Sequence, residues 1–574
     1  MAKLLGYLRP FRWAIFLTLA LILLQSLSQL YLPTLMADIV DQGIALGDNA
    51  LILRIGVIML GVSLFNIASA IASRYYSARV GLGYGRILRN KVFSHIQKFS
   101  LEEYNQFGAA SLITRVTNDI TQVEMVVLMS LRMLATAPLM MVGGIVMAVS
   151  RDANLAKLIL VLMPVLGLAV GVVAYLVMPL FKAIQGKIDR LNLVLRENLT
   201  GIRVIRAFNR DEYERRRFDT ANLDLTGITL FVNRLMAATM PAMTLLLNFA
   251  SIAVIWFGGL RIAGGGLQVG DLMAFLQYMM QIMFSLMMVS MMFIMLPRAM
   301  ASINRINAVL DTRPKIADPP EPAPFVREGS LEFRQVSFSY PGAEMPALSD
   351  ISFTAGPGEV TAIIGGTGSG KSTLANLIPR FYEVAEGSIL LNGVDVREMT
   401  QEDLRGKIGL VPQQALLFSG TIASNIRLGK EDATPEEVEK AAETAQADDF
   451  IAALPEGYDA PVAQGGVNFS GGQKQRLAIA RALVRRPQVY IFDDSFSALD
   501  FRTDARLRQA LKKDAADSIL LIVAQRVTTV MDAHQIIVLE NGRMAGIGTH
   551  AELMKTCEVY REIVLSQVSQ EEIA

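Results

Sequence analysis

Cysteine, histidine and charge are all scarce in this 574-residue sequence, and each scarcity narrows the field. A single cysteine, Cys557, leaves no internal disulfide to form, and its free thiol fits a reducing compartment. Three histidines are present, His95, His534 and His550, so histidine chemistry has very few places to be. Charged residues make up only 19%, and the formal net charge is +1, which gives a nucleic-acid partner no electrostatic basis. Against these stands a hydrophobic content of 52%, so much of the chain must be buried elsewhere than in a soluble core. The length calls for more than one domain.

The apolar residues are concentrated in the first three hundred or so positions. Six runs there, 13–33, 51–72, 131–150, 158–181, 240–260 and 272–296, are each long enough, at about 20 residues, to cross a bilayer. The first has no short apolar core ending in a small-residue cleavage site, and it runs on into Asp38 and Asp41, so it reads as a retained span. Arg9 and Arg12 precede it, whereas 41–50 holds no Lys or Arg. The segments after spans two and four are basic, with Arg74, Arg79, Arg86, Arg89 and Lys91 in one and Arg203, Arg206, Arg210, Arg215, Arg216 and Arg217 in the other. Those segments and both termini are expected on the cytosolic side. Both segments keep a helical period, so the spans should continue as helices into the cytosol. Each carries a short polar stretch, 101–108 and 209–213. Five prolines between 311 and 325 mark a boundary. The expected organisation is a membrane domain at 1–310, a linker at 311–329 and a second domain at 330–574.

The second domain reads as α/β. An apolar run at 360–364 enters Gly365-Gly366-Thr367-Gly368-Ser369-Gly370-Lys371-Ser372-Thr373, which matches G-x-x-x-x-G-K-[ST] with a strand before it and a helical pattern after it. Glycines let backbone N–H groups wrap phosphates, and the helix N-terminus adds its positive end. Lys371 offers a charge to the outer phosphates and Ser372 a hydroxyl to Mg²⁺. A buried-strand pattern at 489–492 ends in Asp493-Asp494, a place from which a carboxylate holds Mg²⁺ beside such a loop. Between them lies Phe469-Ser470-Gly471-Gly472-Gln473-Lys474-Gln475-Arg476.

That last segment resembles the signature sequence of ATP-binding-cassette proteins. The order phosphate loop, Gln413, signature, Asp493 and Ser497-Ala498-Leu499-Asp500 matches the family throughout, and six spans joined to one cassette is its exporter half-transporter layout. The resemblance implies a six-helix membrane domain followed by an α/β cassette that binds ATP and Mg²⁺ and hydrolyses ATP to move a cargo. It implies that Tyr340 stacks on adenine, that Gln413 contacts Mg²⁺ or the attacking water, and that Asp493 and Ser372 hold the metal. It further implies that Ser470, Gly471, Gly472 and Gln473 close over ATP held by a second cassette, with Asp500 at the same interface. The stretches 101–108 and 209–213 match the family's coupling helices.

Two positions depart from the family, and both are catalytic. Asp494 stands where the family has a glutamate general base. Its intrinsic pKa is similar, but its reach is shorter by one methylene, about 1.5 Å. Gln525 stands where the family has a histidine toward the γ-phosphate, and glutamine cannot be protonated to carry charge. His534 lies too far along the chain to replace it. Gln464 and Phe469 are milder departures, from glutamate and leucine. Parts for holding ATP are kept while parts for cleaving it are altered. The pattern resembles the degenerate-site subunit of a heterodimeric bacterial multidrug exporter, whose partner half-transporter supplies the catalytic glutamate and histidine.

The expected location is then the bacterial inner membrane, with several passes through its lipid. The sixth span is methionine-rich (Met273, Met279, Met280, Met283, Met287, Met288, Met291, Met292 and Met295) and carries Gln277, Tyr278, Gln281 and Ser285. Flexible, polarizable methionines with few charges point to hydrophobic or amphipathic cargo, drugs or lipids. Two alternatives remain at this stage: a homodimeric lipid flippase, and a non-transporting ATP-sensing membrane regulator.

Overall fold

The structure is a computed structural model that describes residues 4, 6–323 and 329–567, without the side chains of 170, 174, 182, 240 and 290–298. The side chains of Met291, Met292 and Met295, and the last part of the proline-rich segment with Pro324 and Phe325, therefore lie outside what is described. The chain divides into two compact units, Met1–Gln97 with Ala110–Asp311, and Lys98–Ala109 with Thr312–Ala574.

The first unit is all helix: α1 (Arg12–Asp38), α2 (Asn49–Ile96), α3 (Ile120–Arg151), α4 (Ala153–Thr200), α5 (Asp211–Ala263) and α6 (Val269–Asp311). With their short helical flanks, Gly6–Ile44, Asn49–Ile96, Ala109–Arg151, Ala153–Thr200, Asp211–Ala263 and Val269–Val289 are long and apolar enough to cross a membrane. Helix satisfies every backbone group within the segment, the condition set by hydrocarbon, and it tolerates Pro33, Pro138, Pro164, Pro179 and Pro241 inside the spans. Each span expected from the sequence falls in one of these helices, the last as far as the described side chains go.

Helices α1, α3 and α6 share one core, which includes Leu30, Met140, Phe275, Tyr278, Met279 and Ile282. Close approach depends on Gly143 and Gly144 of α3: a Cβ on the first would come within 2.3 Å of Leu30, and on the second within 2.8 Å of Ile282. The Tyr278 hydroxyl donates to the Leu30 carbonyl at 3.0 Å and lies 2.7 Å from Thr34 Oγ1, so it fastens α6 to α1. Ser285 is buried as well and donates back to the Gln281 carbonyl. Both polar side chains thus face helix packing. Gln277 is exposed on this chain, on the same face of α6 as Met273, Met280 and Phe284.

Further along, a π-helical turn at Arg115–Asp119 precedes α3. It delivers Asp119, buried, to Ser302 Oγ at 2.9 Å and to a fork from the Arg305 guanidinium on α6.

The second unit is built on two main sheets, with a small two-stranded ladder of Gly420–Thr421 and Pro461–Val462 beside them. Strands β1 (Leu331–Phe338), β2 (Leu348–Ala355), β4 (Glu386–Leu391) and β5 (Val394–Asp395) form an antiparallel sheet in the order β2-β1-β4-β5. Strand β3 (Val360–Gly365) lies in a six-stranded sheet with β6 (Ile408–Val411), β7 (Val489–Asp493), β8 (Ile519–Val523), β9 (Gln535–Glu540) and β10 (Arg543–Gly548), ordered β10-β9-β3-β8-β7-β6. All neighbours are parallel except β10. Helices α7 (Lys371–Leu377), α8 (Gly471–Leu483), α9 (Phe501–Asp514), α10 (Val527–Val530) and α11 (Glu558–Gln567) belong to this unit. Every residue of β3, β7 and β8 is buried, the pattern of central parallel strands covered on both faces. Parallel strands put the C-terminal ends of β3, β7, β8 and β6 side by side, and the site forms there.

The short helix Leu101–Phe107 also belongs to this unit. A capping box of Ser100 and Glu103 starts it, Lys315 pairs with Glu102, and Asn105 donates to the Tyr382 hydroxyl at 3.3 Å. The other polar stretch, 209–213, lies in the first unit, running from the end of a short helix (Ile202–Ala207) into the first turn of α5, with Phe208 and Tyr213 exposed.

Candidate functional site

Strand β3 ends at Gly365, and the next five residues turn back to start α7. Gly366, Thr367 and Gly368 are open to solvent, while Ser369 is buried with its hydroxyl unpartnered. Gly370 caps α7 at φ 102°, and a Cβ there would meet Leu348 at 2.7 Å, so only glycine makes this turn. An orphaned hydroxyl, open glycine backbone and a helix start give the donor set an anion needs, and phosphate fits it. Lys371 lies over the loop, its ammonium donating to the Gly365 and Gly366 carbonyls at 2.8 and 2.7 Å. Burial pushes its pKa down, and the carboxylates of Asp494 and Asp493 push back.

Beside Lys371, Ser372 donates to Asp493 Oδ1 at 3.0 Å across the gap from α7 to β7. Asp493 is buried, and that desolvation raises its carboxyl above the usual range, opposed by the Ser372 hydrogen bond and reinforced by Asp494. A hydroxyl and a carboxylate placed together form a hard-oxygen pair, which suits a divalent cation such as Mg²⁺. Thr373, the next residue, lies 3.0 Å from the Tyr340 hydroxyl. The Tyr340 ring meets Phe338 and Tyr382 edge-on, at 4.9 and 5.3 Å, in an aromatic cluster flanking the loop.

Asp494 follows in the left-handed region, φ 49°, tied by its amide to the Val523 carbonyl at 2.9 Å. Its Oδ2 accepts from Gln413 Nε2 at 3.3 Å and from Gln525 Nε2 at 3.1 Å. Burial raises its pKa too, opposed first by the Gln413 hydrogen bond. The structure thus joins both departures, Asp494 and Gln525, through one carboxylate oxygen, with Gln413 as the third member. All three stand at strand ends: Gln413 after β6, Asp494 after β7 and Gln525 after β8.

The signature lies at the start of α8. Ser470 caps it, accepting from the Gln473 amide at 3.3 Å while its own amide donates to Gln473 Oε1 at 2.9 Å. Ser470 and Gly471 are exposed. Phe469 is buried against Phe450, so the larger ring that replaces leucine has a place in the core. Asp500 caps α9 through the Thr503 amide at 3.0 Å. Gln464 is exposed in a one-turn helix.

Some supports carry no sequence signal of their own. Gln475, buried, donates to the Pro412 carbonyl and links the signature helix to the Gln413 loop. Ser495 donates to the Val411 carbonyl at 2.9 Å. Gln567 grips the loop after β8. Each acts on the backbone of a distant loop, and only the folded chain shows the pairing.

Family models match the chain in both units: the ABC transporter transmembrane region over residues 15–286, and the ABC transporter domain over 348–497. An uncharacterized ABC transporter ATP-binding protein of Mycobacterium tuberculosis is 46% identical over 573 residues, 99% of this chain and 98% of its own. A fatty acid ABC transporter ATP-binding/permease protein of Mycobacterium bovis is 36% identical, over 83% of this chain and 75% of its own. Among solved structures, a bacterial Atm1-family ABC exporter with ATP bound superposes with TM-score 0.82 at 27% identity, covering 97% of this chain and 100% of that one. With six apolar helices and an ATP-binding cassette in one chain, this protein belongs to the ABC transporter family, as a multi-pass membrane half-transporter of the exporter type.

Proposed function

We propose that this chain is the slow-site half of a heterodimeric exporter that moves amphipathic or hydrophobic compounds, drugs or lipids, out of the cytoplasm or inner leaflet. The observation that carries the reading is the pairing of Asp494 with two amides. Two amide donors, Gln413 and Gln525, fix this carboxylate among the strand ends, where its short side chain gives a general base less reach to water. No group at position 525 brings a positive charge toward a γ-phosphate.

Binding is kept. Residues 365–373 wrap the phosphates, Lys371 releases its loop carbonyls to meet the outer ones, and Tyr340 offers a ring to adenine. Ser372 and Asp493, with Gln413, would hold Mg²⁺, which would neutralise charge on the outer phosphates when bound. Ser470 and Gly471, exposed at the head of α8, and the half-buried Gly472 and Gln473 are available to close over a nucleotide on the partner's phosphate loop, with Asp500 beside them. The partner supplies the glutamate and histidine that this chain lacks. Closure of the two cassettes, passed through 101–108 and 209–213, switches the membrane helices, and hydrolysis at the partner's site resets them. Linker and domain limits follow the same plan: membrane domain to 310, cassette from 330, both termini cytosolic.

For cargo, the exposed face of α6 with Met273, Gln277, Met280 and Phe284 gives an apolar, adaptable stripe with one amide. A fatty acid transporter among the relatives points the same way.

The test is ATPase activity of this chain in lipid nanodiscs, alone and mixed with a second half-transporter carrying the family's glutamate. Activity should need the partner and collapse when that glutamate is changed to glutamine. Brisk turnover by this chain alone would replace the heterodimer with a homodimeric flippase.

A further inference from the structure

The loop after β8 carries Gln525 and then enters α10, a single turn whose own N-cap residue, Arg526, makes no capping hydrogen bond. The first turn of any helix leaves backbone N–H groups without partners, and a side chain normally meets them from the N-cap. Here the partner comes from forty residues away. Gln567, on the last turn of α11, accepts from the Val527 amide at 2.9 Å through Oε1 and donates to the Gln525 carbonyl at 2.9 Å through Nε2. One amide side chain therefore holds both sides of the peptide link around Arg526.

The helix that presents it is firmly seated. Tyr560 and Val564 are fully buried in the same core as Val527 and Val530. Gln567 follows at the next helical step, i+3 from Val564 and i+7 from Tyr560, so the buried face of α11 ends in a polar grip where the core meets loop backbone. On its other side the loop is held by Arg526, which donates to the Ser497 carbonyl at 3.2 Å and lies over the Phe501 ring at 5.6 Å.

We propose that Gln567 is a positioning residue for this chain's nucleotide site: it sets the backbone of 525–527 so that the Gln525 side chain faces Asp494. The proposal rests on the reading of Gln525 as the residue facing the outer phosphate. Gln567 itself touches no reacting group. It makes the C-terminal helix part of the site's framework, although no motif marks it.

The experiment uses the assembled full-length transporter and single-turnover cleavage of radiolabelled ATP at this chain's site, with the partner's catalytic glutamate changed to glutamine. ATP affinity and melting temperature are measured alongside. Gln567→Leu keeps the helix and the volume and loses both hydrogen bonds; cleavage should fall by about three- to tenfold, the scale of one to two ordinary hydrogen bonds. ATP affinity should change less than twofold. Gln567→Glu keeps the acceptor for Val527 and loses the donor to Gln525, and should fall between Gln567→Leu and wild type. In a Gln525→Ala background, Gln567→Leu should have no further effect on cleavage. If Gln525→Ala alone leaves cleavage unchanged, the reading of Gln525 fails. If Gln525→Ala slows cleavage and neither Gln567 variant does, the positioning role fails. Equal losses of melting temperature and affinity with no change in cleavage would also overturn it, by making Gln567 purely structural.

Discussion

Asp493 sits at the end of a fully buried strand, and its environment disfavours its charge. A carboxyl with a raised folded-state pKa loses stability as pH climbs from the ordinary carboxylate range through the raised value, because the folded state must then carry the disfavoured anion. Asp493→Asn removes that anion and keeps an oxygen for the Ser372 hydroxyl. Without nucleotide, the variant should melt higher than wild type at pH 7.5, with the gap closing as pH falls toward about 4. It should also lose the rise in melting temperature that Mg²⁺ and ATP give the wild type. Thermal melts across pH check this, and a lower melting temperature at pH 7.5 would refute the burial argument. The same residue shows what sequence reading reaches. The phosphate loop and Asp493-Asp494 are legible because each follows an apolar strand and carries a distinct chemical group, whereas Gln413 and Gln525 are marked only by the family resemblance. That Asp494 and Gln525 meet through one oxygen is not legible, since it depends on the left-handed backbone at Asp494 and on the register of β7 against β8.

At the scale of elements, the six spans stand out in the sequence because about 20 apolar residues have no soluble use. Their pairing does not, since it is set by small contacts. Gly143 and Gly144 admit α1 and α6 to α3, and Tyr278, a polar residue in a methionine run, turns inward to α1. The π-helical turn before α3 is also invisible in the sequence, yet it aims Asp119 at α6. Asp119 accepts from Ser302 and Arg305 with almost no exposure of its own side chain, while the Arg305 side chain is half exposed. Asp119→Ala leaves the guanidinium able to find water but takes away the acceptor for the buried Ser302 hydroxyl, which still accepts from Arg305 at 3.2 Å, and should cost about 1–3 kcal/mol. Arg305→Ala in that background should cost little more, because the pair acts as a unit. Denaturation in detergent measures both, and additive losses would mean that the two side chains are independent.

Across the whole molecule, one chain holds a phosphate loop and a signature, and the family arranges these so that each serves a different nucleotide. On the proposed reading the alterations fall on the groups that cleave ATP at this chain's own loop, while the signature helix keeps its cap, its exposed serine and a well-packed Phe469. A chain under no constraint at its own site would have lost Lys371, Ser372 or Asp493 as readily as the base. Holding ATP without cleaving it at speed is therefore the central claim. It is tested most directly by identifying the nucleotide bound to this chain after the assembled transporter has turned over, using photo-crosslinking azido-ATP labelled in the base or in the γ-phosphate. The account predicts that this chain retains the γ-label, as intact ATP, through many turnovers of the partner, and that Asp494→Glu with Gln525→His converts the retained nucleotide to ADP. Rapid loss of the γ-label from the wild-type chain, at the rate of the partner's site, would contradict it.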